Sequence, residues 1–417
     1  MTAGTTVSEM FGALPEQNAL PCPASASAAL TNLHIHLPPN FGAIASVDDA
    51  IAKAKDENIV ALCASNYYDH AIYRPFARAA AQAGITPIFG IEALTMDEEL
   101  RRQGVLVNDP KNPGKFYLCG KGLANFDAPD AAVLPIWERI RNGDRRRIEE
   151  MLARLNDLAL LRQRGIRLDY QAICAEIATQ KRVPVETVFL QERHIAHAAQ
   201  QAIFERAPLA EREDFLRQLY QADGVVETQD VVKAQNELRN YLFKQGKAAY
   251  ADERYISPDE AAALIRGLGG YVSYPILIDG IPTITPFEAT PETLAEHLLA
   301  RQIGAAEFIP TRNDLATLTR YVKSLRAQGI VIGAGTEHND AAWIPLRPAC
   351  RKGVALSDEL TAIFWEGARV TAAHQYLCAK GKAGFRFFAD AAGRNAQIQE
   401  FSAIGAAVVA AIAGQQG

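Results

Sequence analysis

Short apolar runs alternate with amphipathic stretches along the first hundred residues. Thr31-Asn-Leu-His-Ile-His-Leu-Pro-Pro-Asn40 is a short apolar run that Pro38-Pro39 ends, and it predicts a strand. Ser46-Val-Asp-Asp49 supplies an N-cap with an acid three residues on, opening a helix over Asp48–Glu57. Ile59-Val-Ala-Leu-Cys63 reads as a buried strand, and a second helix runs to about Ala83, where Gly84 stops it. Pro87-Ile-Phe-Gly-Ile-Glu92 is the third strand, and Phe116-Tyr-Leu-Cys-Gly120 a fourth. Strand, helix, strand, helix, strand is the rhythm of a parallel sheet with right-handed crossovers.

From about Asp127 to Gln245 long amphipathic stretches take over, such as Arg145–Arg164 and Val185–Glu205, predicting a helical insertion. The earlier rhythm returns at Ser257-Pro-Asp-Glu260, a capping box with proline at the first helical position. Strands follow at 270–275, 306–310 and 330–335, separated by helices, and two helical segments close the chain. The expected layout is a lead-in over 1–30, an α/β barrel from 31–126 and 250–417, and an insertion over 127–249. The lead-in, rich in Ala, Ser, Thr and Pro, is expected at the surface.

Polar groups gather where predicted strands end. His34 and His36 are two residues apart, so in a strand they share a face. Asn66 and Tyr67 follow the second strand, Glu92 the third, Tyr274 the re-entry strand, and Glu337, His338 and Asn339 the last. In a barrel of parallel strands these ends form the active-site face. Imidazoles with carboxylates suit Zn²⁺, Mn²⁺ or Fe²⁺. A bound divalent ion lowers the pKa of its water to about 7, which is hydrolytic chemistry. Lys121, between two glycines, could equally sit in a plain turn or face an anionic group. His194 either reaches the pocket from the insertion or stays a satisfied histidine, and Tyr67 and Tyr274 either border the site or pack as core.

Composition narrows the class. The chain has 417 residues, 49% hydrophobic and 22% charged, with net charge −5, an ordinary globular balance. That acidity argues against a dedicated nucleic-acid binder. The run Arg145-Arg-Arg147, followed by Glu149-Glu150, reads as a solvated helix face. Six irregularly spaced cysteines with no C-x-x-C pair suit a reducing compartment. The N-terminus lacks a signal-peptide pattern, and Ile404–Ile412 is apolar but short for a bilayer span. A cytoplasmic protein with no membrane partner is expected, its oligomeric state open.

Several of these segments together resemble the PHP superfamily, named for polymerase and histidinol phosphatase. His34-Ile-His36 is similar to that family's first motif, Asp-x-His-x-His-Ser. Ala83-Gly-Ile-Thr-Pro-Ile-Phe-Gly-Ile-Glu92 resembles the strand carrying its Gly-x-Glu. Gly269-Gly-Tyr-Val-Ser-Tyr-Pro275 resembles the strand ending Ala-His-Pro, and Gly335-Thr-Glu-His-Asn339 the Gly-Ser-Asp-x-His motif. Gln191-Glu-Arg-His-Ile-Ala196 resembles an Arg-Pro-His-Ile-Ala segment of phosphoesterase-like members. The likeness spans about residues 31–125 and 185–340. It implies a distorted (β/α)7 barrel and a metal-dependent hydrolase of a small anionic phosphoester.

The departures are specific. Tyr67 and Asn66 stand for the His and Asp of the family's second motif, Thr-Asp-His, and Tyr274 for the His of Ala-His-Pro. Glu337 stands for the last motif's Asp, with Asn339 at its His and His338 one place early. The implied metal set is His34, His36, Glu92, Glu337 and His338, holding one or two ions. Catalytic roles would fall to Glu92, Glu337, His338 and Tyr67, and substrate binding to Asn66, Tyr274, His194, Lys121 and Asn339. A lactone or carboxylic ester is the alternative substrate class. A non-catalytic metabolite-binding protein on a degenerate barrel is the alternative outside enzymology.

Overall fold

A computed structural model describes residues 6–22, 28–278 and 284–414. Seven strands form one sheet in sequence order: β1 (Leu30–Ile35), β2 (Ile59–Ala64), β3 (Thr86–Met96), β4 (Lys115–Lys121), β5 (Tyr271–Ile276), β6 (Ala305–Phe308) and β7 (Val331–Ala334). The sheet curls until its ends nearly meet. An isolated bridge joins Ile35 to Glu337, and the amides of Thr336 and Glu337 donate to the His34 carbonyl at 3.0 and 2.8 Å.

The strands are not all parallel, contrary to the expectation from sequence. β1, β2 and β3 run together, as do β5, β6 and β7, but β4 is antiparallel to both neighbours. The cause is the connection before it. Only residues 97–114, with one short helix (Glu98–Arg102), lie between β3 and β4. The chain therefore folds back beside β3 instead of crossing over. Lys115 thus pairs with Met96 at the mouth end, while Lys121 pairs with Gly90 deeper down.

The crossover helices sit where the caps place them. Ser46 Oγ accepts from the Asp49 amide at 3.1 Å and opens the helix Val47–Asp56. Ser257 and Glu260 complete a reciprocal capping box ahead of Pro258. These helices bury one face against the sheet, around a core that includes Ala50, Phe76, Leu264, Leu294, Leu318 and Val322.

Between β4 and β5 the chain runs through helices at Leu134–Asn156, Ala159–Gln163, Tyr170–Lys181, Glu192–Arg206, Leu209–Tyr220 and Val231–Leu238. They enclose a second apolar cluster running from Ile148 to Ala251. The stretch 145–164 is broken after Asn156, and only a 3-10 turn (Val185–Thr187) precedes the helix opening at Glu192.

Both termini depart from expectation. Residues 1–5 and 23–27 of the predicted surface lead-in lie outside the described residues. The part between is not a surface tail, because Val7, Phe11 and Leu14 join the barrel core. Lys380 donates to the Gly12 and Leu14 carbonyls at 3.0 and 2.7 Å. At the other end the apolar segment extends into a helix of 23 residues, Ala391–Ala413. By length and composition it could cross a membrane. Half of its most apolar window is buried, and Gly405 lets it approach the Arg369 carbonyl of the helix Asp358–Ala379. A side chain at Gly405 would stand 1.9 Å from that oxygen.

The barrel closes through another such approach. A Cβ on Gly335 would lie 2.3 Å from the His34 Cβ and 2.7 Å from its amide nitrogen. Gly335→Ala is expected to pry β1 from the end of β7 and lower stability by about 1–3 kcal/mol. Urea unfolding of the variant against wild type measures this.

Candidate metal centre

β1 delivers His34 and His36 to the barrel interior on one face, both about 1% exposed. The backbone around them is held at every step. Asn32 accepts from the His34 amide at 3.1 Å, and its own amide group donates to Thr336 Oγ1 at 2.6 Å. Past His36, the Asn66 side-chain amide clamps Leu37, its oxygen accepting from the Leu37 amide at 2.8 Å and its nitrogen donating to the Leu37 carbonyl at 2.9 Å. β3 brings Glu92 opposite. Glu92 Oε2 lies 3.7 Å from His34 Nε2 and 3.4 Å from His36 Nε2.

None of these three atoms has a hydrogen-bond partner, although all are buried. Buried polar atoms left in that state cost free energy. Metal bonds of about 2.0–2.2 Å at tetrahedral angles separate ligand atoms by about 3.4 Å. Two imidazole nitrogens and one carboxylate oxygen at this spacing fit one divalent ion with a position left open.

Beneath this group lies a second polar layer. His34 Nδ1–H donates to Glu307 Oε1 at 3.0 Å, and Lys121 Nζ lies 2.6 Å from Glu307 Oε2. Burial works against charge on all of these groups, but the partners prevail. Glu307 pushes the His34 imidazole up to about 9, and Lys121 with His34 holds the Glu307 carboxyl down at about 2. Glu92, despite burial, is kept well below the carboxylate range by the neighbouring imidazoles of His34 and His36. An ion binding at Nε2 would displace the proton there, and with the Nδ1 proton held on Glu307 the freed Nε2 lone pair would point at the ion position. His34, Cys119 and Glu307 also lie close enough to hold an ion among the described residues. Burial pushes the Cys119 thiol well up, and the Lys121 ammonium already neutralises Glu307. That lower group is therefore a poor cation site. Glu307 was missed in the sequence; its signal was a carboxylate inside the otherwise apolar strand Ala305-Ala-Glu-Phe308.

The expected ligands Glu337 and His338 do not join the centre. Both residues adopt left-handed backbone, φ 64° and 59°, three and four residues beyond the end of β7. Strand alternation no longer aims them inward. Glu337 is taken up by Arg312 and by the Asn339 amide at 3.0 Å. His338 Nε2–H donates to the Ile344 carbonyl at 2.7 Å, and its Nδ1 accepts from Thr336 at 2.9 Å. Tyr274 is fully buried and its hydroxyl donates to Glu288 at 2.7 Å, far from any role in gathering substrate. Asn66 is a backbone clamp. His194 Nδ1 accepts from the Gln191 amide at 3.0 Å, and its ring also bonds the Pro39 backbone. It anchors the loop after His36 to the insertion rather than reaching the ligands. Lys121 faces into the barrel.

Tyr67 does reach the site. Its ring stacks on His36 at 5.2 Å and 4°, with its amide held by Asn40 at 2.8 Å. Burial first, then the charge of Glu92, raises its phenol well above the usual range, so it keeps its proton. On the far side of Tyr67 opens a cleft of about 620 Å³ between barrel mouth and insertion, with Asn339 on its wall. Six cations line it against four carboxylates. Glu192 alone receives Lys244, Arg239 and Arg147 at 2.6, 2.9 and 3.3 Å. Arg147, expected on a solvated face, is 7% exposed and turned into this cleft.

No protein-family model and no curated protein sequence matches the chain. Solved structures do match. A Bifidobacterium adolescentis protein, provisionally described as a metal-dependent phosphoesterase, aligns with a TM-score of 0.50 at 15% identity, over 82% of this chain and 96% of its own. An amidohydrolase from Chromobacterium violaceum, with bound sulfate and no metal, aligns with a TM-score of 0.47 at 17% identity, over 78% and 94%. The first likeness supports a shared barrel fold.

Two outcomes follow from this geometry. His36→Ala is expected to weaken zinc binding by more than about 100-fold, whereas His338→Ala stays within about threefold of wild type. Competition against a chromophoric chelator reads both. Away from the centre, burial raises the Glu288 carboxyl to about 8 from 4.5. The folded state thus holds a proton that the unfolded chain releases. That stabilisation is complete below pH 4.5 and is lost as pH rises to about 8. Glu288→Gln is expected to remove this downward slope in denaturation midpoints across that window.

Proposed function

We propose that this chain is a metal-dependent hydrolase of PHP type acting on a small anionic phosphoester. The observation that carries the reading is the convergence of three buried, unpartnered donor atoms, on His34, His36 and Glu92, beside a cationic cleft. A divalent ion held there would supply Lewis acidity and an activated water. The residues of the chain would supply the rest. Cleft cations such as Arg193 and Lys115 would neutralise and orient the anionic substrate. The protonated Tyr67 hydroxyl, between cleft and ligands, would donate to the departing oxygen. The six cysteines, which form no disulfide among the described residues, suit the cytoplasm as the place of action.

Hydrolysis of a carboxylic ester or lactone is the second reading. It is favoured by the withdrawal of Glu337 and His338, which leaves His34, His36 and Glu92 without the further ligands of a multinuclear clamp.

Metal-stripped protein reloaded with Zn²⁺ or Mn²⁺ is expected to hydrolyse phosphomonoesters in a substrate screen. Glu92→Gln should lower that turnover by at least about 100-fold. Turnover confined to carboxylic esters would select the second reading. Turnover indifferent to both chelation and Glu92→Gln would refute a metal-dependent mechanism.

A further inference from the structure

Lys121 is a buried ammonium that the proposed chemistry does not use. It is 3% exposed, and its side chain crosses the barrel interior from β4. Nζ donates to the Leu33 carbonyl at 2.7 Å and to Ser65 Oγ at 2.9 Å, and pairs with Glu307 Oε2 at 2.6 Å. Two of the ammonium's three N–H groups donate to these oxygens and its charge is matched by Glu307, so the group is committed to the barrel interior and not to a substrate. One side chain on β4 thereby ties β1, the end of β2, and β6.

Two of these contacts converge on His34. Leu33 is the residue before it in the chain. Glu307 receives the Nδ1 proton of its ring. Lys121 therefore grips His34 from the backbone side and, through Glu307, from the ring side. Burying a cation and a carboxylate for stability alone is a poor bargain, since well-packed apolar residues often do as well. What such a pair provides is a fixed direction. The other oxygen of Glu307 is aimed at Nδ1 of His34, which fixes where that ring's proton sits and where its lone pair points.

We propose that Lys121 is a positioning residue for the ion centre: by pinning Glu307 and the Leu33 carbonyl, it presents Nε2 of His34 to the metal. This inference rests on the reading of His34, His36 and Glu92 as metal ligands. It assigns to Lys121 a supporting role in place of the substrate contact that its glycine-flanked position suggested.

The test is zinc binding by metal-stripped protein, titrated against a chromophoric chelator. Lys121→Met is expected to raise the zinc dissociation constant by about 10–100-fold, the usual cost of losing an outer hydrogen-bonding partner. That variant leaves the Glu307 charge unpaired and can fail to fold. The double variant Lys121→Met/Glu307→Gln removes both charges at nearly constant volume and keeps the fold. It should show the same weakened zinc affinity. In ¹⁵N-histidine spectra of the zinc form, the wild-type Nδ1 proton of His34 should be held in slow exchange and should be lost in the double variant. A folded double variant binding zinc within about twofold of wild type, even with a lower melting temperature, would mean that Lys121 is merely structural and would overturn the proposal. Wild-type protein that binds no zinc or manganese would instead remove the metal reading, and this inference with it. The two failures are therefore told apart by the wild-type titration.

Discussion

One imidazole held between two carboxylates is the constraint on which this molecule turns. His34 faces Glu92 with one nitrogen and Glu307 with the other, with almost no exposed surface. A ring so placed has one acceptable tautomer when an ion binds, because the lower carboxylate can only accept. The barrel closure enforces the same placement. The His34 carbonyl accepts two amides from the segment after β7, and Gly335 packs directly on the His34 backbone. Ligand geometry and barrel closure are thus a single structural problem, solved at one residue.

The reversed strand β4 organises what surrounds that residue. Because it runs opposite to its neighbours, its first half stands at the mouth and its last residue deep inside. Lys115 and Tyr117 line the cleft, and Lys115 pairs with Glu253 at 2.8 Å. Lys121 supplies the interior cation. A parallel strand would have delivered the later residue to the mouth. The reversal therefore separates two lysines six positions apart into two layers, one facing substrate space and one facing the core.

The insertion adds the outer wall. Its cations, Arg147 from the helix Leu134–Asn156 and Arg239 and Lys244 from the turn after Leu238, meet around Glu192, which limits their mutual repulsion while leaving the cleft net positive. Arg239 and Lys244 flank a π-helical turn, Arg239–Phe243, and such turns often mark functional positions. Gln191 and His194 fasten this wall to the loop after His36: Gln191 accepts from the Phe41 amide at 2.7 Å.

The sequence by itself determined the alternating strand–helix rhythm, the helix caps at Ser46 and Ser257, and the sharing of one face by His34 and His36. These follow from local periodicity and short-range hydrogen bonds, which a chain carries wherever it folds. Glu92 was also legible, as the lone carboxylate closing the apolar run Pro87–Glu92, although the strand itself continues to Met96. Tertiary structure alone decided the rest. The direction of β4 depends on a connection with only a five-residue helix, which doubles back instead of crossing the sheet, and the fates of Glu337 and His338 depend on two left-handed residues past a strand end. The pairing of Glu307 with His34 and Lys121 spans up to 273 positions, and no periodicity encodes it. Their strands β1, β4 and β6 are not neighbours in the sheet, so the partners meet across the interior, and only the closed barrel settles that.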